Sequence, residues 1–537
     1  MGNLYSKLAA LPPTQPSTHE KSSKAIVRGE KDDCASSFHK PEPELPLAFG
    51  ASLRKEFMMD QDYHNLNHAS FGTHPRAIHQ RLQHYRTLYE RAPDHFIRYT
   101  YPALLDTNRA AVARFLNSPS PDAIVMVPNA TVGINTVLRA LAATWSPSGT
   151  DEILYFSTAY GACAKTVTYL SESTFGRHVG GRAITLTYPL SDTSVVAQFH
   201  AAVVTSRTEG HTPRLAMFDT VSSVPGVRFP FEAVVTACRE LGILSLVDAA
   251  QGIGMLPLDL AELNPDFLVS NCHKWLLVPR ACAVLYVPVR NQHLIRSTLP
   301  TSHGFVPQDT AEAGLAGKSP LPKSEDGKSA FVAAFEYVGT LDNSPYLCVA
   351  EAIEWRSKML GGEDRIRHYT WSLASQGGEE VAKTLGTWVM QNKENTLTDC
   401  AMVNVALPLV VVDEGWKQSQ DSPMLSEVGA KVREADVEEA APVNNPEPGE
   451  EQKEDTAVAP AREDETMIPF EDAERIWEWM TKVLVDDYRT FIPIYYHAGR
   501  FWARLSAQVY LDMADFVWAG ATLKELCQRV ARKEYDT

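Results

Sequence analysis

Ile243-Leu-Ser-Leu-Val-Asp-Ala-Ala-Gln-Gly252, followed by Phe267-Leu-Val-Ser-Asn-Cys-His-Lys-Trp275, decides how the rest of the chain is read. Each piece is a short apolar run that ends in a polar residue with chemistry: Asp248 in the first, Lys274 in the second. The two stand 26 residues apart, about one strand–loop–strand step. An acid and a lysine brought to the same edge of a sheet is the pair that pyridoxal phosphate (PLP) chemistry needs. The lysine forms a Schiff base, and the carboxylate keeps the ring nitrogen protonated.

Outward from this stretch, short apolar runs alternate with helical patterns. Strands are predicted at 124–128, 152–156, 183–187, 214–219, 244–247, 267–270 and 281–287. Helices are predicted between them at 131–143, 160–171, 195–206 and 231–241. Such alternation predicts an α/β fold: a largely parallel sheet covered on both faces, with ligands collecting at the carboxyl ends of the strands. Residues 46–345 are assigned to this large domain. From 346 the pattern changes to a long helix broken at Gly361-Gly362, an apolar strand at 401–412, a helix at 470–487, strands at 490–497 and 503–506, and a closing helix at 513–532. This predicts a smaller C-terminal α/β domain over 346–537. Residues 1–45 and about 414–468 cannot bury a core and are expected to be a disordered tail and a disordered acidic insert.

Net charge is −16, but 434–466 hold twelve acids against two bases, so the rest of the chain carries only −6. That excludes a nucleic-acid binder. Removing 434–466 is expected to leave activity intact. The eight cysteines show no Cys-x-x-Cys pair, so neither a metal site nor a disulfide framework is expected, and a reducing, cytoplasmic or nuclear compartment fits. Met1-Gly-Asn-Leu-Tyr-Ser-Lys7 matches the N-myristoylation pattern at Gly2, although a chance match on a plain tail is the reading preferred. One such chain would give only weak membrane association.

Further candidates follow from the residues. Lys274 lies between apolar flanks, which suits an amine used for an imine. Gln251 adds an amide near Asp248. Asn129-Ala-Thr-Val-Gly133, between a strand and a helix, suits a phosphate at a helix N-terminus, with Thr131 as its hydroxyl; Thr131 would also serve as a simple cap. Tyr160 follows a strand, where a ring could stack on a pyridine or its hydroxyl could act as an acid. Arg504 lies in an apolar strand and needs an anion, either a substrate carboxylate or an internal partner. His68, His303 and Tyr63 are weaker, structural-leaning candidates.

These residues resemble the class V, fold-type I PLP enzymes, the superfamily of aminotransferases and cysteine desulfurases. The resemblance spans about 49–535 without the acidic insert, and its signature stands as Asp248-Ala-Ala-Gln251 and His273-Lys274. It implies that Lys274 carries the cofactor, Asp248 pairs with the pyridine nitrogen and Gln251 reaches the phenolic oxygen. Thr131 and His273 would bind the phosphate, with Asn271 and Ser222 also lining the cofactor. Thr340 would add a phosphate contact from the other subunit of a homodimer. Arg504 would bind the substrate carboxylate, with Asn67 and His68 beside it. Two positions depart from the pattern: Asn271 stands where a phosphate-binding serine is common, with Ser270 one earlier, and Tyr160 stands where desulfurases often carry histidine.

Within the superfamily the sequence resembles fungal enzymes that cleave hercynylcysteine sulfoxide towards ergothioneine, a group often labelled isopenicillin-N-epimerase-like. The similarity is carried by Leu66-Asn-His-Ala-Ser-Phe-Gly72, Asp151–Phe156, Asn271–Trp275, Arg290–Phe305 and Phe501–Tyr510. It implies β-elimination from a small cysteine-conjugate sulfoxide, giving a sulfenic acid, pyruvate and ammonia, with Tyr160 as the acid for the leaving sulfur. Rival expectations are a cysteine desulfurase using Cys400, an aminotransferase or epimerase, and a PLP-fold scaffold without activity. Cys400 leads into an apolar strand, which favours a structural role.

Overall fold

The computed structural model describes residues 46–146, 149–173, 179–301, 305, 328–412 and 465–536. The expected tail at 1–45, with Gly2, most of the acidic insert, and His303 lie outside them. The large sheet has seven strands: β1 Ile124–Val127, β2 Asp151–Phe156, β3 Gly180–Ile184, β4 Thr212–Asp219, β5 Leu244–Asp248, β6 Phe267–Asn271 and β7 Ala283–Tyr286. Their order is β1-β7-β6-β5-β4-β2-β3. β7 runs antiparallel to both its neighbours and every other pairing is parallel. The sheet is the mixed, mostly parallel α/β layer expected. β3 lies earlier than the predicted 183–187, because it pairs with β2 from Glu152↔Gly180 onward.

Strands buried on both faces read as continuous apolar runs, but their side chains still alternate. Leu246, Phe267, Val269, Leu215 and Met217 enter one core, shared with Ile134, Val137 and Leu138 of the helix Ala130–Ala142 and with Cys163 of the helix Gly161–Ser173. Val247, Leu268, Ala216 and Phe218 enter the core on the opposite face. This parity decides the site. Asp219, Asp248 and Asn271 are in step with the first set, so they belong to the face of the helix Ala130–Ala142. Ser270 belongs to the other face.

A second sheet, β8 Met402–Val412, β9 Thr466–Pro469, β10 Ile494–His497 and β11 Arg500–Ser506, has the order β10-β11-β8-β9. The helices Glu363–Leu385 and Met513–Ala531 cover it. Gly361 and Gly362 separate the helices Val349–Leu360 and Glu363–Leu385 as predicted, both with positive φ (83° and 91°).

Two domain expectations need correction. The acidic segment does not run to 468: Thr466–Pro469 pairs with β8, and the Glu465 side chain is covered where it meets Arg500 at 2.7 Å. The large domain does not begin at 46. Residues 47–64 dock on C-terminal elements: Leu47 N–H donates to Met359 O, Gly50 N–H to Val509 O, and Arg54 and His64 both bond Asp515.

Candidate active site

Asp248 ends β5 and is buried. Its Oδ1 accepts from the Ala250 N–H at 2.9 Å, and its Oδ2 from the Cys163 thiol at 3.4 Å. Burial pushes this carboxyl above the usual range; the Ala250 N–H, the Cys163 thiol and nearby Lys274 pull the other way. A buried carboxylate held by weak neutral donors suits a cationic partner. Asp219 stands beside it across the β4–β5 pairing. The thiol of Cys163 is held well above its ordinary range by burial and by these two acids.

On the same face, Asn271 Oδ1 accepts from the Ala130 N–H at 2.8 Å, and the Asn129 side chain accepts from Val132 at 2.9 Å. The Gly133 N–H goes to the Asn129 carbonyl at 3.1 Å. Of the first-turn donors, the Thr131 N–H remains for an anion, with the Thr131 hydroxyl on the same residue and the helix dipole behind both. A Cβ on Gly133 would come within 2.6 Å of Val269, so this glycine lets the helix press against β6. Asn271 therefore braces the anion site. Ser270, on the other face, donates to Ala249 O and accepts from Ile253 N, and cannot take over the serine role.

Lys274 sits on the turn after β6. That turn is gripped from several sides: Gly72 fits against the His273 carbonyl where a Cβ would overlap it at 1.8 Å, and Arg356 donates to Trp275 O at 2.7 Å and to Gly254 O at 2.9 Å. His273 Nδ1 faces Cys282 O at 3.0 Å; burial, then Lys274 and Arg280, depress its pKa to about 4. An adjacent phosphate would supply the negative charge its surroundings lack. Gln251 is buried, donating to Ala69 O at 3.0 Å and accepting from the Trp275 indole at 2.7 Å.

Arg504, on β11, is fully buried. Nη1 donates to Ser223 O at 2.6 Å; Nη2 donates to Asn67 Oδ1 at 2.7 Å and Ser70 Oγ at 2.9 Å. These oxygens, together with Ser223 Oγ at 3.3 Å from Nη1, orient the guanidinium. Gly226 packs on its stem, where a Cβ would lie 2.8 Å from Cδ.

Asp248, Lys274, His273, Asn271, Thr131 and Gln251 thus gather at the carboxyl end of the sheet, with Arg504 and Asn67 linked through the segment 66–72. Tyr160, 40% exposed, precedes the helix that carries Cys163. Ser222 spends its hydroxyl proton on Pro225 O at 2.6 Å, within a turn, which leaves only its oxygen as an acceptor. Thr340 lies on an exposed turn near the Tyr337 hydroxyl, and Tyr63 is half-buried. His68 is not placed to touch a substrate: it is fully buried and both ring nitrogens are bonded. Cys163, Ser70, Ser223, Tyr510 and Arg356 were not anticipated. Tyr510 and Ser70 lie in the quoted stretches 501–510 and 66–72, but nothing local marks the others.

The class-V aminotransferase family matches residues 65–318. An L-cysteine desulfhydrase-like protein, lolT1, from Epichloe uncinata is 34% identical over 91% of this chain and 98% of its own. A hercynylcysteine sulfoxide lyase from Schizosaccharomyces pombe is 30% identical over 89% of this chain and 98% of its own. This chain belongs to the class-V aminotransferase family. The solved cysteine desulfurase from Thermococcus onnurineus shares the fold at TM-score 0.60, with 15% identity over 90% of this chain and 99% of that one.

The family's cofactor is pyridoxal phosphate, and the residues present fit it. Asp248 suits the pyridinium nitrogen, Lys274 the aldehyde carbon, and Thr131 with His273 the phosphate. The protein is a PLP enzyme of a family in which its relatives carry the names hercynylcysteine sulfoxide lyase and L-cysteine desulfhydrase-like protein. Among the described residues, no group of three or more His, Cys, Asp or Glu side chains could hold a metal ion, and no helix is long and apolar enough to cross a membrane.

Proposed function

We propose that this enzyme is a carbon–sulfur lyase that cleaves hercynylcysteine sulfoxide by β-elimination, working as a cytoplasmic homodimer. The observation that carries the elimination reading is the state of Cys400. A desulfurase needs a mobile, ionisable cysteine to take sulfur as a persulfide. Cys400 is fully buried, its thiol is directed to Met402 O at 3.4 Å, and burial pushes its pKa up to about 12. Every other cysteine among the described residues is buried as well. The substrate is suggested by the similarity to the S. pombe lyase over nearly the full chain.

Bound PLP would supply the electron sink that lets a Cα–H bond of an amino acid break. Arg504 holds the substrate carboxylate and so fixes which Cα bond faces the lysine. Lys274 takes the Cα proton. Asp248 keeps the ring nitrogen protonated. The Cβ–S bond then breaks with its electron pair going to sulfur, and Tyr160 delivers a proton to that leaving group. The three-carbon remainder hydrolyses to pyruvate and ammonia. In the homodimer, the exposed Thr340 would complete the phosphate site of the second subunit.

A second reading, an L-cysteine desulfhydrase, is favoured by the 34% identity to the lolT1 protein and uses the same residues. One assay separates the two. Purified enzyme is offered hercynylcysteine sulfoxide, S-alkylcysteine sulfoxides and free cysteine, and pyruvate and sulfide are measured. Pyruvate from the first alone supports the lyase. Sulfide and pyruvate from cysteine support the desulfhydrase, and sulfide lost in Cys400→Ala would restore the desulfurase. Tyr160→Phe is expected to lower elimination by about 100-fold with the cofactor's absorption retained; unchanged turnover would remove Tyr160 from the acid role.

A further inference from the structure

We infer that His68 is a positioning residue for the base, fixing the Lys274 turn through a hydrogen-bond chain of one polarity. The inference rests on Lys274 as the base and not on the identity of the sulfur compound. The chain runs from the Asn65 amide N–H to the Tyr510 oxygen at 2.8 Å, from the Tyr510 O–H to His68 Nδ1 at 2.8 Å, and from His68 Nε2–H to the Lys274 carbonyl at 2.9 Å. The Asn65 amide can only donate here, so the tyrosine proton is directed to Nδ1. The carbonyl at the other end can only accept, so the histidine proton sits on Nε2. Both ends thus demand a single neutral tautomer.

The surroundings enforce that state. His68 is fully buried, its ring 5.0 Å from Trp275 and 5.8 Å from Tyr510, centroid to centroid. Burial, together with Arg356 and Lys274, keeps it uncharged; the bond to the Lys274 carbonyl opposes this without winning. His68 is therefore neither a proton carrier nor a substrate ligand. Its neighbours in sequence extend the grip. Asn67 and Ser70 accept from Arg504, Ala69 O accepts from Gln251, and Gly72 lies flush on the His273 carbonyl. One seven-residue segment, 66–72, thus sets the carboxylate clamp and the base in a common frame, and a displacement of about 1 Å between such groups is enough to slow a reaction severely.

The test uses the cofactor-loaded enzyme and two variants. His68→Leu removes both bonds, whereas His68→Gln keeps an N–H near the Nε2 position. Two readouts are taken: the pH titration of the bound cofactor's absorption band, which needs no substrate, and kcat and KM with hercynylcysteine sulfoxide. In His68→Leu the titration midpoint moves by about one pH unit or more, and kcat falls by about tenfold or more with KM little changed. His68→Gln recovers most of both. Asn67→Ala shows the opposite split, a raised KM with an unmoved midpoint. A loaded His68→Leu enzyme with the wild-type midpoint and kcat overturns the proposal, as does a His68→Gln variant as impaired as His68→Leu. If His68→Leu does not fold, Tyr510→Phe, which removes the donor to Nδ1 and leaves the ring tied at the Lys274 carbonyl alone, must move the midpoint instead. Should the wild-type enzyme fail to turn over this sulfoxide, the substrate reading fails and the absorption titration still decides the role of His68.

Discussion

His68 and His273 show how single buried side chains tie the site to pH. Their pKa values are depressed to about 3 and about 4, burial being the largest cause in each. A base whose folded pKa lies below its unfolded value binds fewer protons in the native state. Stability is then full above the unfolded value near 6.5 and is lost as pH falls towards the folded value. For His68 that loss is on the order of a few kcal/mol across the window. Carboxylates contribute below about pH 5, so the measurement is a difference. Melting temperature is followed from pH 7.5 to 4.5 for wild type and His68→Gln. The wild type should fall more steeply between about pH 6.5 and 4.5; parallel curves would show that His68 is not held neutral. Asp248 and Lys274 were legible in the sequence because each ends its own apolar run. Of the partners of Arg504, Asn67 came only through the resemblance, and Ser70 and Ser223 not at all, because they lie 434 and 281 positions away and nothing local to Arg504 indicates them.

The helix Ala130–Ala142 and strand β6 make the site as a pair. The helix was readable from its apolar spacing, but the cap reading fell on Thr131, whereas the capping side chain is Asn129, which accepts from the Val132 N–H. That Asn271 and Ser270 serve opposite faces required the sheet parity, which a continuous apolar run conceals. The strand β3 was misplaced for a related reason: its first residues, Gly180 and Gly181, carry no apolar signal, and only the pairing with β2 reveals them. Gly133 is where helix and strand meet, and it yields a prediction. Gly133→Ala would place a methyl 2.6 Å from Val269 Cγ1 and displace the helix N-terminus by a fraction of an ångström. Overpacking of this kind costs about 1–3 kcal/mol. Because the helix carries the anion site, the expected result is weaker cofactor retention on dialysis, read from the absorption band, and a lower melting temperature. A variant with unchanged retention would show that β6 yields instead.

At the scale of the whole chain, the acidic insert leaves from the end of β8 and returns at Glu465, and the return point is part of the core. Arg500 and Glu465 are each 2% exposed and 2.7 Å apart, and the guanidinium lies over Trp388 at 4.4 Å. Composition concealed this, because Glu465 reads as one more acid in a run of twelve. The expectation that 434–466 is dispensable is corrected on the same ground. That deletion removes Glu465 and the first residue of β9, and leaves Arg500 buried without its carboxylate, at a cost of about 3–5 kcal/mol. A deletion that respects the fold removes 415–462 instead. β8 and β9 are parallel neighbours, so the chain must cross back, which takes a linker of about a dozen residues. With such a Gly/Ser linker the enzyme should keep its melting temperature and turnover within about twofold. The 434–466 deletion should lose several degrees and aggregate on expression, and Arg500→Met in that background should recover part of the loss, because an apolar side chain of similar size needs no counter-charge. Equal stability of the two deletions would show that the Arg500–Glu465 pair contributes nothing. Loss of turnover in the 415–462 deletion, with its melting temperature intact, would assign the acidic segment a part in the reaction itself.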